Sequence, residues 1–262
     1  MNKTKIDWCD MTWNPVTGCL HGCEYCYARK LATRFTWGYA VTAAKAYSPG
    51  TIHEIEYPFR WNEPSRTAAG KIQPYPFGFE PTFHRYRLDD PQKIKTPQRI
   101  FVCSMADLFG DWVPDSWIEQ VFDACEKAPW HQYLFLTKYP QRLCSLVNTE
   151  KLPKNDNFWY GSTITGKNAL RFPGRILDHT FISIEPLTER MDAGLGSFGG
   201  VEWIIIGAET GNRKGKIKPE KEWVENIVNA AKLTQAAVFM KESLKQIMGN
   251  DFIQEWPEGL EG

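Results

Sequence analysis

No run in the 262-residue sequence approaches the ~20 consecutive apolar residues that a membrane-spanning helix needs, and the opening MNKTKIDWCDMTW lacks the apolar core of an export signal. A cytoplasmic protein is therefore expected. The chain also lacks a charge excess: 31 Lys plus Arg balance 31 Asp plus Glu, so no global field draws it to nucleic acid or to an anionic membrane, and any such contact has to be local. Internal repeats and low-complexity tracts are missing. So is an even cysteine count. Seven cysteines behind no export signal argue against a disulfide framework and for metal or redox chemistry.

What is present is a rhythm of short apolar runs rich in β-branched and aromatic residues, separated by helix-like or Pro/Gly-punctuated stretches. That is the pattern of parallel βα units. Strands are expected near 11–17, 99–104, 132–137, 158–164, 180–185, 201–207 and 237–241. One helix is expected after Pro114-Asp115-Ser116, where Trp117, Ile118, Val121, Phe122 and Cys125 share a face; another is expected from about 221 to 233, with Trp223, Ile227 and Val228 turned inward. The fold class is α/β, a partial or full parallel (β/α) barrel forming one domain over 1–262. Residues 40–98, crowded with Pro, Gly and aromatics, form an insertion expected to cover the barrel mouth.

In such a barrel the functional groups sit at the carboxyl ends of the strands. Those ends carry the first cysteine loop, Ser104 with Asp107, Thr137 with Lys138, Ser162 with Thr163, Glu185, Gly207 with Glu209, and Lys241. Any one of them can equally be a turn or helix cap, and Lys138, Glu185 and Lys241 can equally form buried ion pairs. Two local basic sets could meet phosphates: His84, Arg85, Arg87, Lys93, Lys95 and Arg99 in the insertion, and Arg213, Lys214, Lys216 and Lys218 after the sixth strand. The alternative for the first set is a solvated face balanced by Asp89 and Asp90.

The sharpest signal is T-G-C-L-H-G-C-E-Y-C-Y-A-R-K, in which Cys19, Cys23 and Cys26 offer three thiolates from one short loop between a strand and a helix. A 4Fe-4S cube takes four ligands, so three thiolates hold three irons and leave the fourth open to an exogenous chelator. A tetrahedral zinc site completed by His21 or another cysteine is the competing reading, although Cys9, Cys103, Cys125 and Cys144 stand singly and supply no second knuckle. Those four read as ordinary buried cysteines, and Cys103, at a strand end, is the candidate among them for a redox or hydrogen-donor role.

The spacing C-x3-C-x2-C, with Tyr25 before the third cysteine, resembles the signature of the radical S-adenosylmethionine (SAM) superfamily. The resemblance implies a 4Fe-4S cluster whose open iron binds the amino and carboxylate groups of SAM, reductive cleavage to methionine and a 5'-deoxyadenosyl radical, and abstraction of a substrate hydrogen. It also implies an electron donor such as flavodoxin or ferredoxin. By the same resemblance Tyr25 approaches the adenine, Ser162 and Thr163 lie near the ribose, and Glu209 borders the adenosine. Ser104 and Asp107 stand where many members carry a Gly-Gly-Glu run, and Lys138, Glu185 and Lys241 hold the SAM carboxylate or the substrate. A narrower resemblance spans nearly the whole chain through I-D-W-C-D-M-T-W-N-P-V-T-G-C, F-V-C-S-M-A-D-L-F, L-F-L-T-K-Y-P-Q-R-L, I-S-I-E-P-L and W-I-I-I-G-A-E-T-G. These look like a family common in phages and bacteria and associated by name with a three-Cys-motif partner protein. Cys103 stands where that family's pattern has asparagine. The phage association, with the local basic and aromatic residues, points to a nucleic-acid base as substrate. A peptide, a small metabolite, or a non-catalytic zinc-stabilised nucleic-acid-binding protein remain the alternatives.

Overall fold

Every stretch expected to be a strand contains one in the computed structural model, which describes residues 1–36, 50–61, 71–166, 177–191 and 198–261. In chain order the strands are β1 (Asn2–Lys3), β2 (Met11–Trp13), β3 (Val16–Thr17), β4 (His53–Ile55), β5 (Arg60–Trp61), β6 (Lys71–Ile72), β7 (Thr82–His84), β8 (Arg99–Val102), β9 (Gln132–Thr137), β10 (Phe158–Ile164), β11 (Thr180–Ile184), β12 (Trp203–Ile206) and β13 (Ala237–Met240). The helices are α1 (Tyr27–Phe35), α2 (Asp90–Lys93), α3 (Asp115–Glu126), α4 (Pro140–Asn148), α5 (Lys221–Thr234) and α6 (Lys245–Met248).

The main sheet runs β1-β2-β8-β9-β10-β11-β12-β13. All its neighbours pair in parallel except β1, which lies antiparallel to β2. No ladder joins β13 back to β1 or β2 among the described residues, so the barrel is a partial one. Its two sides approach where the Glu242 backbone N–H donates to Asp7 Oδ2 at 2.8 Å.

Strand alternation sorts the side chains into two layers. Ile100, Val102, Tyr133, Phe135, Phe158 and Tyr160 face outward and pack on Trp117, Val121 and Phe122 of α3. Ile182, Ile184, Ile204, Ile206 and Met240 face outward on the other half and bury Val224, Ile227 and Val228 of α5. The opposite face, turned into the barrel, holds Phe101, Trp159, Phe181, Trp203 and Phe239 around Trp8. These large rings fill the lower barrel, and the segment after α6 seals it. Trp203 Nε1 donates to the Glu255 carbonyl at 3.0 Å, Trp256 packs on Trp203 and Phe239 with ring centroids 5.2 Å away in each case, and Arg99 lies 3.9 Å over the Trp256 ring.

Of the expected insertion, residues 40–49 and 62–70 lie outside the described residues. The described remainder supplies β4 and β7, which join β3 in a three-stranded sheet β3-β7-β4, and the β5-β6 pair. No helix among the described residues is long and apolar enough to cross a membrane.

Candidate functional site

The cysteine loop is hung between two parts of the chain. The Gly18 N–H donates to the Met105 carbonyl at 2.9 Å and the Cys19 N–H to the Phe79 carbonyl at 3.2 Å. Gly18 has φ +87°, and a Cβ there would collide with the Glu80 carbonyl, so no other residue fits this crossing without a backbone shift. Cys26 caps α1: its Sγ accepts from the Arg29 N–H at 3.3 Å. The positive end of the helix dipole thereby faces the sulfur.

Cys19, Cys23 and Cys26 all line one cavity of about 620 Å³ at the carboxyl ends of the strands. Burial pushes the Cys19 thiol up to about 12; the charges of Asp107, Cys26 and Cys23 push the same way, and a hydrogen bond from the His21 backbone opposes them. Three thiolates in one local field are costly unless a cationic group compensates them, which is the condition an iron-sulfur cube meets. Among the described residues no three His, Cys, Asp or Glu side chains converge tightly enough to hold a single metal ion. A cube takes one thiolate on each of three irons and so calls for thiols set around a volume, not around a point. The donor set and its placement on a cavity wall fit the cluster.

The loop is also pinned at its middle residue. His21 Nε2 and Asp107 Oδ2 lie 2.7 Å apart. The same carboxylate accepts from Thr137 Oγ1 at 2.7 Å, from the Lys138 N–H at 2.8 Å and from the Phe109 N–H at 3.1 Å. Asp107 therefore ties the cysteine loop to the end of β9 with both oxygens occupied. It lines the cavity, yet its lone pairs are spent on the protein, so it acts on the loop and not as a free ligand group.

The other cavity carboxylates are committed too. Glu185 forms an ion pair with Lys241 across β11 and β13. Gly207 lies between them: a Cβ there would stand 2.9 Å from Lys241 Cδ and 3.3 Å from Glu185 Cδ. Glu209 is held by Arg213 through two hydrogen bonds of 2.6 and 2.7 Å, which keep its carboxyl below the usual range. Lys138 enters the cavity with its ammonium 6.0 Å from the Tyr25 ring centroid, and burial raises the Tyr25 hydroxyl, keeping it neutral. Ser104 and Thr163 complete the expected residues on the wall.

Two expected site residues fall elsewhere, both through chain geometry. Ser162 sits between the outward-facing Tyr160 and Ile164, so alternation turns it away from the cavity while its neighbour Thr163 enters. Cys103 adopts φ 59° just after β8 and is buried in the outer core with Trp13, Val16 and Phe83; burial pushes its thiol up to about 12. A thiol on the outer side of the sheet cannot donate a hydrogen atom to a ligand inside it, and the hydrogen-donor assignment is withdrawn. The basic set of the insertion is consumed by the fold. His84 pairs with Thr17 at 2.8 Å, Arg85 with Glu54 at 2.6 Å and Glu56 at 2.8 Å, Arg87 with the Asn14 and Pro74 carbonyls, Lys93 with Asp90 at 2.7 Å and Arg99 with Asp10 at 2.7 Å, while Lys95 lies over Trp130.

Several lining residues escaped the sequence reading. Ser183 was reachable by alternation from Glu185, and Lys30 and Arg34 by their i, i+4 spacing on the helix that follows Cys26. The His21 to Asp107 contact spans 86 positions and leaves no local signal.

Two solved structures share this fold, both single-residue mutants of spore photoproduct lyase. Their TM-scores are 0.52 and 0.53 at 11% and 10% sequence identity, covering 92% and 91% of this chain and 79% and 78% of theirs. At such identity the likeness establishes the fold alone, an α/β fold around a mostly parallel sheet that forms a partial barrel. No curated protein matches the sequence. The family model described as "Protein of unknown function (DUF5131)" matches residues 3–248, and the chain belongs to that family.

Proposed function

We propose that this protein is a radical SAM enzyme in which Cys19, Cys23 and Cys26 hold a 4Fe-4S cluster at the mouth of a partial barrel. The observation that carries the reading is that these three thiols and the polar ends of the parallel strands line one cavity, above a floor of packed aromatic rings. When bound, the reduced cluster and SAM supply a 5'-deoxyadenosyl radical able to take a hydrogen atom from a substrate carbon.

The chain's own residues bind, orient and shield. Lys138 offers an ammonium to the SAM carboxylate, Tyr25 a neutral ring and hydroxyl to the adenine edge, and Thr163 and Ser183 hydroxyls to the ribose. The Glu185–Lys241 and Glu209–Arg213 pairs keep their charges fixed, so the wall needs little reorganisation as ligands arrive. Trp8 and Phe101 close the cavity from below and limit the water that could quench a radical. Flavodoxin or ferredoxin serves as electron donor on this reading, and a three-Cys-motif protein as a partner. The substrate is a base carried by a nucleotide or nucleic acid; the fold shared with a lyase named for a photoproduct and the cationic cavity rim support that choice over a peptide or neutral metabolite.

The test is anaerobic reconstitution followed by metal analysis and a SAM-cleavage assay. About three to four irons with acid-labile sulfide per chain, and 5'-deoxyadenosine formed on reduction, are expected. Cys23→Ala should lose both while keeping its circular dichroism spectrum. Colourless protein with one zinc, or SAM cleavage that survives Cys23→Ala, defeats the proposal.

A further inference from the structure

The charged groups of the cavity do not balance one another. Asp107, Glu185 and Glu209 are each satisfied inside the protein, by His21 with Thr137 and two backbone N–H groups, by Lys241 and by Arg213. Lys30, Arg34 and Lys138 line the same cavity, and among the described residues none of the three is in an ion pair. Lys30 is near enough for its charge to act on Glu209, but both oxygens of that carboxylate are taken by Arg213.

The cations also have a defined arrangement. Lys30 and Arg34 are four residues apart on α1 and share a face one helical turn apart. Tyr27 and Leu31 are likewise four apart, line the same mouth, and stay 54% and 37% exposed. Tyr27 is held in place, its hydroxyl donating to the Ser104 carbonyl at 2.7 Å. Arg29, on the same helix, shows what a structural cation looks like here: it donates to the Cys19 carbonyl at 3.0 Å and lies 4.9 Å over the Phe79 ring. Among the described residues Lys30 makes no such contact, and Arg34 has only the ring of its chain neighbour Phe35, whose centroid lies 5.9 Å from its guanidinium carbon. The mouth of the cavity thus presents two cations that are in no ion pair among the described residues, beside an aromatic and an aliphatic surface, a combination that suits an anion attached to a flat apolar group.

We infer that Lys30 and Arg34 form a phosphate-binding site for the substrate, with Tyr27 and Leu31 offering the adjacent surface to its base. The substrate class is a nucleotide, free or within a strand. The assignment rests on the radical SAM reading and deepens it: SAM brings one carboxylate, for which Lys138 lies deeper in the cavity, so two cations at the rim are left for an anion of the substrate.

The experiment uses anaerobic, cluster-loaded protein and three probes: inorganic phosphate, thymidine 5'-monophosphate and a ten-residue oligothymidylate, with binding followed by calorimetry and anisotropy at several salt concentrations. Wild type should bind the oligonucleotide, the mononucleotide or both, and which of them binds distinguishes a strand from a free nucleotide. The double variant Lys30→Ala/Arg34→Ala, which places a good helix former at two exposed positions, should bind at least about tenfold more weakly. Two lost contacts at ~0.7 each should flatten the single-strand salt slope by about 1.4. Lys93→Ala, which removes a cation already paired with Asp90, should bind as wild type. Unchanged affinity and slope in the double variant overturn the inference, as does wild type that binds none of the probes. SAM cleavage by wild type without substrate is measured separately, so failure of the underlying chemistry is told apart from failure of the phosphate site.

Discussion

The two ends of the same barrel solve opposite problems with the same strands. At the lower end the inward positions are Trp159, Phe181, Trp203 and Phe239, and the chain's last segment is drawn across them. At the upper end, two to four residues further along each strand, the inward positions are Thr163, Ser183, Glu185 and Lys241, and a cavity opens. The lower half is stabilised by area removed from water, the upper by paired charges around a space kept for something else. Stability and chemistry are therefore separable along the strand axis, and substitutions at the two ends should have different signatures.

The largest expected effect is at the lower end. Trp203→Ala removes a fully buried ring that packs on Trp8, Phe181, Phe239 and Trp256, and should cost about 3–5 kcal/mol, seen as a drop in Tm on the order of 10 °C. Folded protein, assayed well below its Tm, should still take up iron. Loss of iron binding at full folding would break the separation. Asp107→Asn tests the upper end. The amide replaces one acceptor oxygen by a donor facing His21, Thr137 or a backbone N–H, and leaves buried donors unmet at about 1–3 kcal/mol. Its iron content after reconstitution should fall by more than that of Trp203→Ala, and equal losses would show that the clamp does not act on the cysteine loop.

The smallest expected effect concerns Asp10, at the lower rim. Burial works to raise its carboxyl, but hydrogen bonds of 2.7, 2.8 and 3.0 Å from Arg99 outweigh it and hold the group below its ordinary value. A carboxyl lowered on folding adds stability that is present above the unfolded pKa, about 3.9, and is lost as pH falls through the folded value. Because Asp10 is about a third exposed, screening limits the gain to roughly 1 kcal/mol. Asp10→Asn should lower Tm slightly at pH 7, and the difference from wild type should close below about pH 4. A gap that persists in acid would show that the contribution is not electrostatic.

The strands were legible because β-branched and aromatic runs are long and bounded by turns, and the cysteine loop because its three cysteines lie close together in sequence. Which face of a strand looks inward was not legible. FWYGSTI is buried at every position of β10, so hydropathy does not say whether Ser162 or Thr163 enters the cavity. The fate of the cations was hidden for another reason: Arg99 meets Asp10 from 89 positions away and Arg85 meets Glu54 from 31, so a basic cluster in the sequence became a set of dispersed structural pairs. Cys103 departed because a left-handed residue ends β8, which period-two reasoning does not anticipate.

The His21–Asp107 contact fastens the cysteine loop at its centre and not only at its hinges. A loop tethered in this way keeps its shape before any metal arrives. On the proposed reading, a cluster would then enter a receptacle already formed, with little rearrangement of the chain.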